Sequence, residues 1–326
     1  MKVLVTGANG LLGHNVVLEL QKRQCEIQII VRSTDKIYFN MDDIEIFKAN
    51  FTDYHSMKQA ANGCDAIIHI AAVTATNLLH YEDYSKVNVD GAAQIIKVAD
   101  ELNINKLIFV STANTIGFGT ENKPADEDSA IQYPFTESFY ARSKAQAEKL
   151  FVQASLLPHR HVIIINPTFM IGAYDTKPSS GKLMLMGYKK WLMFIPKGGK
   201  NFVAVTDVAA AVCNALTSGN NGERYLASGI NLSFKDFYIL QKQIGKYRQC
   251  LIEVPDFILL AVGKIGDLLR KLGVKTEVCS MNLQQLLIRE YYKNEKIKTG
   301  LLMTETQLRQ AILESMSWFK KNGMMK

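Results

Sequence analysis

A short apolar run, a glycine-spaced turn and an amphipathic segment open this chain. Together they restrict its fold more than any other feature of its 326 residues. Val3–Thr6 is β-rich, Gly7-Ala8-Asn9-Gly10-Leu11-Leu12-Gly13 follows it, and Leu11–Arg23 has helical spacing. Glycine at 7 allows a tight turn, glycine at 10 lets the backbone approach a pyrophosphate, and glycine at 13 lets a helix pack closely on the sheet. A helix that starts there offers phosphate its free N–H groups and the positive end of its dipole. Three glycines alone can form an ordinary turn; the strand before and the helix after give the spacing its meaning. Gly7, Asn9, Gly10, Leu11, Leu12 and Gly13 are therefore candidate cofactor contacts.

The first half continues the alternation. Further β-rich runs stand at Ile27–Val31, Ile44–Lys48, Ala66–Ala71, Leu107–Ser111 and Val162–Ile165, and helical spacing at Val89–Leu102 and Tyr140–Ser155. The runs are almost continuously apolar, as in strands covered on both faces, and the order predicts an α/β, doubly wound parallel sheet. The second half is less regular. Helices are predicted over Val208–Leu216 and over Phe234–Ile244, the latter after Ser233 as N-cap. Ile258, Val262, Ile265, Leu269 and Leu272 recur on one helical face. Such a stripe can meet a membrane or a partner helix, and the expectation is that it packs on its own domain. Thr304-Glu305-Thr306-Gln307 reads as a capping box opening the last helix, which stops at Gly323.

Composition narrows the class. Apolar residues make up 48% and charged residues 21%, ordinary for a globular chain. Met1 and Lys2 run directly into Val3, so no cleavable leader is read, and no apolar run approaches a membrane span. Cysteines stand at 25, 64, 213, 250 and 279, without Cys-x-x-Cys pairs or metal-ligand spacing. The expectation is no metal, no disulfide framework and a cytoplasmic setting. The net charge of +7 invites a nucleic-acid reading, yet no nucleic-acid motif accompanies it.

Two further patterns concern chemistry. The second strand ends Val31-Arg32-Ser33. A site for NAD usually places an acid there, whereas Arg32, with Lys36 as a second cation, suits the 2′-phosphate of NADP. In Tyr140-Ala141-Arg142-Ser143-Lys144 the first and last residues share a helical face. An ammonium near a phenol lowers the phenol's pKa from about 10 and makes Tyr140 a candidate acid/base.

With Thr6, the Gly-x-x-Gly-x-x-Gly turn resembles the extended branch of the short-chain dehydrogenase/reductase superfamily. The likeness runs nearly the whole chain, to Trp318-Phe319-Lys320-Lys321-Asn322-Gly323. It resembles the NAD-dependent epimerase/dehydratase type, and looks most like dihydroflavonol 4-reductases and 3β-hydroxysteroid dehydrogenases. Ala49-Asn50-Phe51-Thr52-Asp53 falls where relatives carry Gly-Asp-Leu-Thr-Asp along the adenine, with Asn50 in place of their aspartate. His69-Ile70-Ala71-Ala72-Val73 matches the segment where small residues admit the cofactor ribose; His69 itself reads as a core histidine. In Ser111-Thr112-Ala113 the resemblance gives Thr112 the substrate carbonyl, with Ser111 as fallback. Asn166-Pro167-Thr168 resembles the segment beside nicotinamide, and Asn88 a position that organises the helix beneath the site.

The resemblance implies a Rossmann-type domain over 1–166 and 201–228, and a smaller, mostly C-terminal substrate-binding lobe over 167–200 and 229–326. Thr112, Tyr140 and Lys144 would be catalytic. The expected reaction is NADP-dependent reduction of a small-molecule carbonyl, with a homodimer common among relatives. A sugar-nucleotide epimerase and a non-enzymatic NADP-binding regulator are the rivals. A 4,6-dehydratase is disfavoured, because Ala113-Asn114 stands where those enzymes add acids. Residues 74–82, 114–123 and 168–200 are expected to line the substrate pocket.

Overall fold

The computed structural model describes residues 1–325. Eleven elements follow one another from the N-terminus. They are β1 (Lys2–Thr6), α1 (Leu11–Lys22), β2 (Glu26–Val31), β3 (Ile44–Lys48), α2 (Tyr54–Ala61), β4 (Ala66–His69), α3 (Glu82–Asn88), α4 (Asp90–Glu101), β5 (Lys106–Val110), α5 (Phe139–Ser155) and β6 (His161–Pro167). After β7 (Phe169–Ile171), α6 (Gly181–Gly187), β8 (Leu192–Ile195), β9 (Gly199–Ala204) and α7 (Val205–Asn214), the chain returns to the main sheet as β10 (Arg224–Ala227). β11 (Ile230–Ser233), α8 (Phe234–Gly245), β12 (Cys250–Glu253), α9 (Asp256–Lys271), α10 (Ser280–Gln285), α11 (Glu295–Gly300) and α12 (Leu308–Lys321) complete it.

The expected α/β sheet is present. Seven strands lie in the order β10-β6-β5-β4-β1-β2-β3, all parallel. The strand order reverses between β1 and β4, which opens a crevice at their C-terminal ends. Residues of each strand alternate between two cores. Val3, Val5, Ile27 and Ile29 join α1 and α7 on one face; Leu4, Ile30, Ile67 and Phe109 join α2, α4 and α5 on the other. Burial on both faces is why these strands read as nearly continuous apolar runs.

The lobe has its own core around Ile171, Met184, Phe202, Phe237 and Phe319. It carries one sheet in the order β11-β9-β7 and a two-stranded sheet, β12-β8. Glu295–Met303, grouped with the lobe by the sequence reading, instead sends Ile297, Leu301 and Met303 into the core beneath β10. Ser233 caps α8 as expected, accepting from the Asp236 amide at 3.1 Å.

Two local expectations are corrected. The last helix begins at Leu308, not at Thr304. Buried Asp207 accepts from the Thr304 and Thr306 hydroxyls at 2.8 and 2.7 Å and from the Thr306 amide at 2.6 Å, which holds the segment extended. The apolar stripe of α9 does not pack on its own domain: Ile265 is 62% and Leu272 72% exposed, and the buried residues of α9 are Gly263 and Gly266. No helix among the described residues is long and apolar enough to cross a membrane.

Candidate active site

The glycine turn sits at the crevice. Gly7 has φ +76°, and a Cβ on it would stand 2.8 Å from the Ala71 amide nitrogen. A Cβ on Gly13 would stand 2.1 Å from the Gly7 carbonyl oxygen, so α1 can approach the turn only without that atom. Gly10 differs: its Cβ position meets only Gly7 O, at 3.4 Å, and the residue is exposed. Gly10 also ends the turn as the N-cap of α1, with no side-chain cap on the first-turn amides of Leu11, Leu12 and Gly13. A bare backbone approach leading to uncapped amides fits the pyrophosphate of a dinucleotide.

The other predicted cofactor residues ring this turn. Thr6 Oγ1 accepts from the Ile70 and Ala71 amides at 3.2 Å and pairs with His69 Nδ1 at 2.8 Å, which joins the ends of β1 and β4. His69 is buried against Phe109 and Phe151, and burial holds its pKa well below the ordinary value, as suits a core residue. Beyond it, Ala71, Ala72 and Val73 leave the strand half-buried. Arg32 is exposed at the end of β2, and Lys36 reaches the Thr176 carbonyl at 3.4 Å. Asn50 is exposed and accepts from the Thr52 amide at 3.3 Å. The ring of Phe51 lies where a Cβ on Gly91 would stand, 2.7 Å away, which ties the β3 loop to α4. Pro167 ends β6, and Thr168 donates to Asn201 Oδ1 at 2.7 Å. Asn9 offers its carbonyl to the Thr176 hydroxyl at 3.3 Å.

Tyr140 and Lys144 lie on the first turns of α5, whose N-cap Ser138 accepts from the Ala141 amide. Lys144 is 1% exposed; its Nζ donates to the Val110 carbonyl at 2.8 Å and stands 4.1 Å from the centre of the Phe109 ring. Burial draws its pKa down from 10.5 to about 7, against the opposing pull of Glu148. The expectation that Lys144 lowers the Tyr140 phenol is reversed. Burial pushes that phenol up to about 12, the Thr112 hydroxyl pulls it partly back, and the Glu148 charge adds to the rise. Desolvation of the phenolate thus outweighs what its polar neighbours offer it.

Thr112, at the end of β5, is buried; its Oγ1 accepts from the Asn114 amide at 3.3 Å. The Ser111 hydroxyl is buried without a partner among the described residues. Asn88 clamps the ribose segment to α5. It accepts from the Val73 amide at 2.8 Å and donates to Ser143 Oγ at 2.9 Å, and that hydroxyl donates to the Tyr140 carbonyl at 2.8 Å.

Sequence reasoning missed Glu148. It is buried one turn beyond Lys144 and accepts from Thr115 Oγ1 and from Asn166 Nδ2, each at 2.6 Å. Asn166 also donates to the Thr112 carbonyl at 3.1 Å, so this network holds the end of β5 against α5. The signal was available: Tyr140, Lys144 and Glu148 fall at i, i+4 and i+8 on one face.

A cavity of about 310 Å³ opens at Tyr140. The expected Thr76, Leu78, Leu79 and Asn114 line it, but residues 168–200 do not; Asp267 and Arg270 of α9, with Cys279 and Met281, form that wall instead. Among the described residues no cluster of His, Cys, Asp or Glu could hold a metal.

The sequence pattern of the NAD dependent epimerase/dehydratase family matches residues 3–228. The chain belongs to that family. It is an enzyme of the extended short-chain dehydrogenase/reductase type, dependent on NAD or NADP. It is 25% identical to a Synechocystis protein named as a candidate dihydroflavonol 4-reductase, over 99% of this chain and 95% of that protein. The crystal structure of gox2253 superposes with a TM-score of 0.84 at 26% identity, over 99% of both chains. UDP-glucose 4-epimerase of Thermotoga maritima, solved with UDP-glucose, shares the fold at a TM-score of 0.78 and 18% identity, over 99% of both chains.

Proposed function

We propose that this enzyme uses NADP to reduce an aldehyde or ketone to the alcohol. One observation carries the substrate class. The cavity at Tyr140 is walled by Leu78, Leu79, Phe139 and Met281, and its charged groups are two carboxylates, Glu137 and Asp267, against one guanidinium, Arg270. A sugar nucleotide brings a diphosphate, which proteins grip with free arginine forks. Arg270 is already committed, to the Leu78 carbonyl at 2.6 Å and to Cys279 Sγ at 3.1 Å. An apolar carbonyl compound meets no charge repulsion there. The name of the Synechocystis relative supports the same class.

In this reading the Gly7, Asn9 and Gly10 turn and the amides of Leu11, Leu12 and Gly13 hold the pyrophosphate. Arg32 and Lys36 take the 2′-phosphate, which is the basis for preferring NADP. Asn50 and Phe51 border the adenine, Ala71, Ala72 and Val73 the ribose, and Pro167 and Thr168 the nicotinamide. The reduced nicotinamide supplies hydride to the carbonyl carbon. Tyr140 gives its phenolic proton to the carbonyl oxygen, which Thr112 holds in place. Lys144 binds ribose hydroxyls and, with a pKa of about 7, exchanges protons with the spent phenolate at neutral pH.

NADPH consumption over a panel of aldehydes and ketones tests the reading. Tyr140→Phe should lower turnover by about a hundredfold to ten-thousandfold and leave NADPH affinity nearly intact. Epimerisation of a UDP-sugar by protein that keeps its nicotinamide through dialysis would replace this reading with the epimerase.

A further inference from the structure

Helix α9 turns its apolar face away from the protein. At about 100° per residue, Phe257, Leu268, Leu272, Ile265, Ile258 and Val262 fall in one arc of roughly 140°. Phe257 is 72%, Ile265 62%, Leu268 60% and Leu272 72% exposed. The contact side explains the orientation. A Cβ on Gly263 would stand 2.8 Å from Ser280 Cα, and one on Gly266 would stand 1.8 Å from the Val278 carbonyl oxygen, so α9 lies backbone against backbone on that segment. Asp267 accepts from the Ser280 amide at 2.9 Å on the same side, and Arg270 reaches the Leu78 carbonyl. A helix of a globular domain ordinarily buries its apolar arc, and this one buries its glycines.

Charge at the rim names the occupant. Lys264 and Lys271 border the arc on one edge, and Lys275 follows in the loop; all three are exposed. None has a carboxylate within ion-pair distance among the described residues. The nearby acids are engaged: Asp256 with Lys197 at 3.5 Å, Glu277 with Lys182, and Asp267 with the Ser280 amide. The apolar exposure extends along the chain into β8 and β12, where Phe194 is 63% exposed beside its register partner Ile252, 43% exposed. Trp191, 75% exposed, follows Lys189 and Lys190 just before β8. Apolar and aromatic side chains flanked by unpaired lysines match an anionic bilayer surface. A second copy of this face would bring the same lysines and no free acid to meet them.

We propose that α9 seats the enzyme on anionic phospholipid membranes, lying in the interface plane without crossing it. The opposite side of the same helix carries Asp267 and Arg270, which line the cavity at Tyr140. The substrate cavity would then lie about one helix diameter, roughly 10 Å, from the lipid, so that a membrane-dissolved carbonyl could reach it. That consequence, unlike the docking itself, rests on the reductase reading.

Flotation of the full chain with vesicles tests the docking directly and needs no turnover. Vesicles with roughly a third phosphatidylglycerol in phosphatidylcholine should carry the protein, and pure phosphatidylcholine should carry less. Phe257→Ser, Ile265→Ser and Leu268→Ser together should cut partitioning by about tenfold or more, with NADPH binding unchanged. Lys264→Glu with Lys271→Glu touches exposed side chains only; it should weaken binding to anionic vesicles and serves if the triple variant fails to fold. Failure of the parent to float, or floating of the charge-reversed variant as well as the parent, would overturn the proposal. So would a concentration-dependent dimer in sedimentation that the triple variant abolishes, since the face would then belong to a second copy.

Discussion

Replacing Lys144 with methionine keeps most of the side chain's volume and removes a buried charge. Burial draws the Lys144 pKa from 10.5 to about 7. At about 1.36 kcal/mol per pKa unit, this sets roughly 5 kcal/mol against the charged form in the folded protein. Methionine leaves the Val110 carbonyl without the donor that Lys144 supplies at 2.8 Å. A buried acceptor left unpaired costs about 1–3 kcal/mol. The variant should therefore be inactive yet more stable than the parent by about 2–4 kcal/mol at pH values well below 7. The pH dependence follows from counting protons. Between the folded pKa of about 7 and the unfolded value of 10.5, the folded parent has shed the Lys144 proton and the unfolded chain still holds it. The parent's stability consequently rises with pH across that window, whereas below it both states hold the proton and the full penalty stands. The variant's advantage should shrink by about 1.4 kcal/mol per pH unit above neutrality and be gone by about pH 9–10. Urea unfolding of both proteins at about pH 6, 7.5 and 9, without added nucleotide, measures it, since a ligand bound to the folded state would add its own stabilisation. A parent more stable than the variant at pH 6, or a difference that does not change with pH, would refute the reasoning.

Arg32→Ala should weaken NADPH binding by roughly tenfold to a hundredfold and leave NADH binding unchanged, because a charge-assisted hydrogen bond contributes about 1.5–3 kcal/mol. Titration of both cofactors reads this directly, and an unchanged NADPH preference would show that Arg32 does not meet the 2′-phosphate. Gly13→Ala places a Cβ 2.1 Å from the Gly7 carbonyl oxygen. It should lower stability by about 1–3 kcal/mol or more and weaken NADPH binding in the same variant; a melting curve and cofactor affinity like the parent's would mean that α1 need not approach the turn so closely.

The sheet was legible because its central strands are buried on both faces: Val162–Ile165 is apolar throughout, and in Ile27–Val31 only Gln28 interrupts the run, buried with Cys64 Sγ donating to its side chain. The cofactor turn was legible for a steric reason: the spaces beside Gly7 and Gly13 are closed by backbone, and only glycine satisfies them. What the sequence hid depends on partners distant along the chain. Thr304–Gln307 has the residues of a capping box, but Asp207, 97 residues before Thr304, takes the two threonine hydroxyls and holds the segment extended. The pKa of Tyr140 was misjudged for a related reason. Helical spacing placed an ammonium one turn away, yet it could not show that burial of the phenol itself would dominate, or that Lys144 Nζ would be turned to the Val110 carbonyl over the Phe109 ring.

Helix α9 is the clearest case, because its periodicity was read correctly and its direction was not. A stripe of large apolar residues is normally taken as the buried side, since burying each such side chain contributes about 1.5–3 kcal/mol. That inference assumes a groove wide enough to receive them. The segment Val278–Ser280 offers no such groove; it comes within reach of the helix backbone and admits only Gly263 and Gly266. Gly-x-x-Gly on the polar side therefore outranks the apolar stripe, because a Cβ 1.8 Å from a carbonyl oxygen cannot be accommodated at any gain from burial elsewhere. The glycine pair could have been set against the stripe in the sequence itself: two glycines three apart on the face opposite a run of leucines and isoleucines mark the side on which a helix is pressed against backbone. What remains outside is then free to serve a second surface.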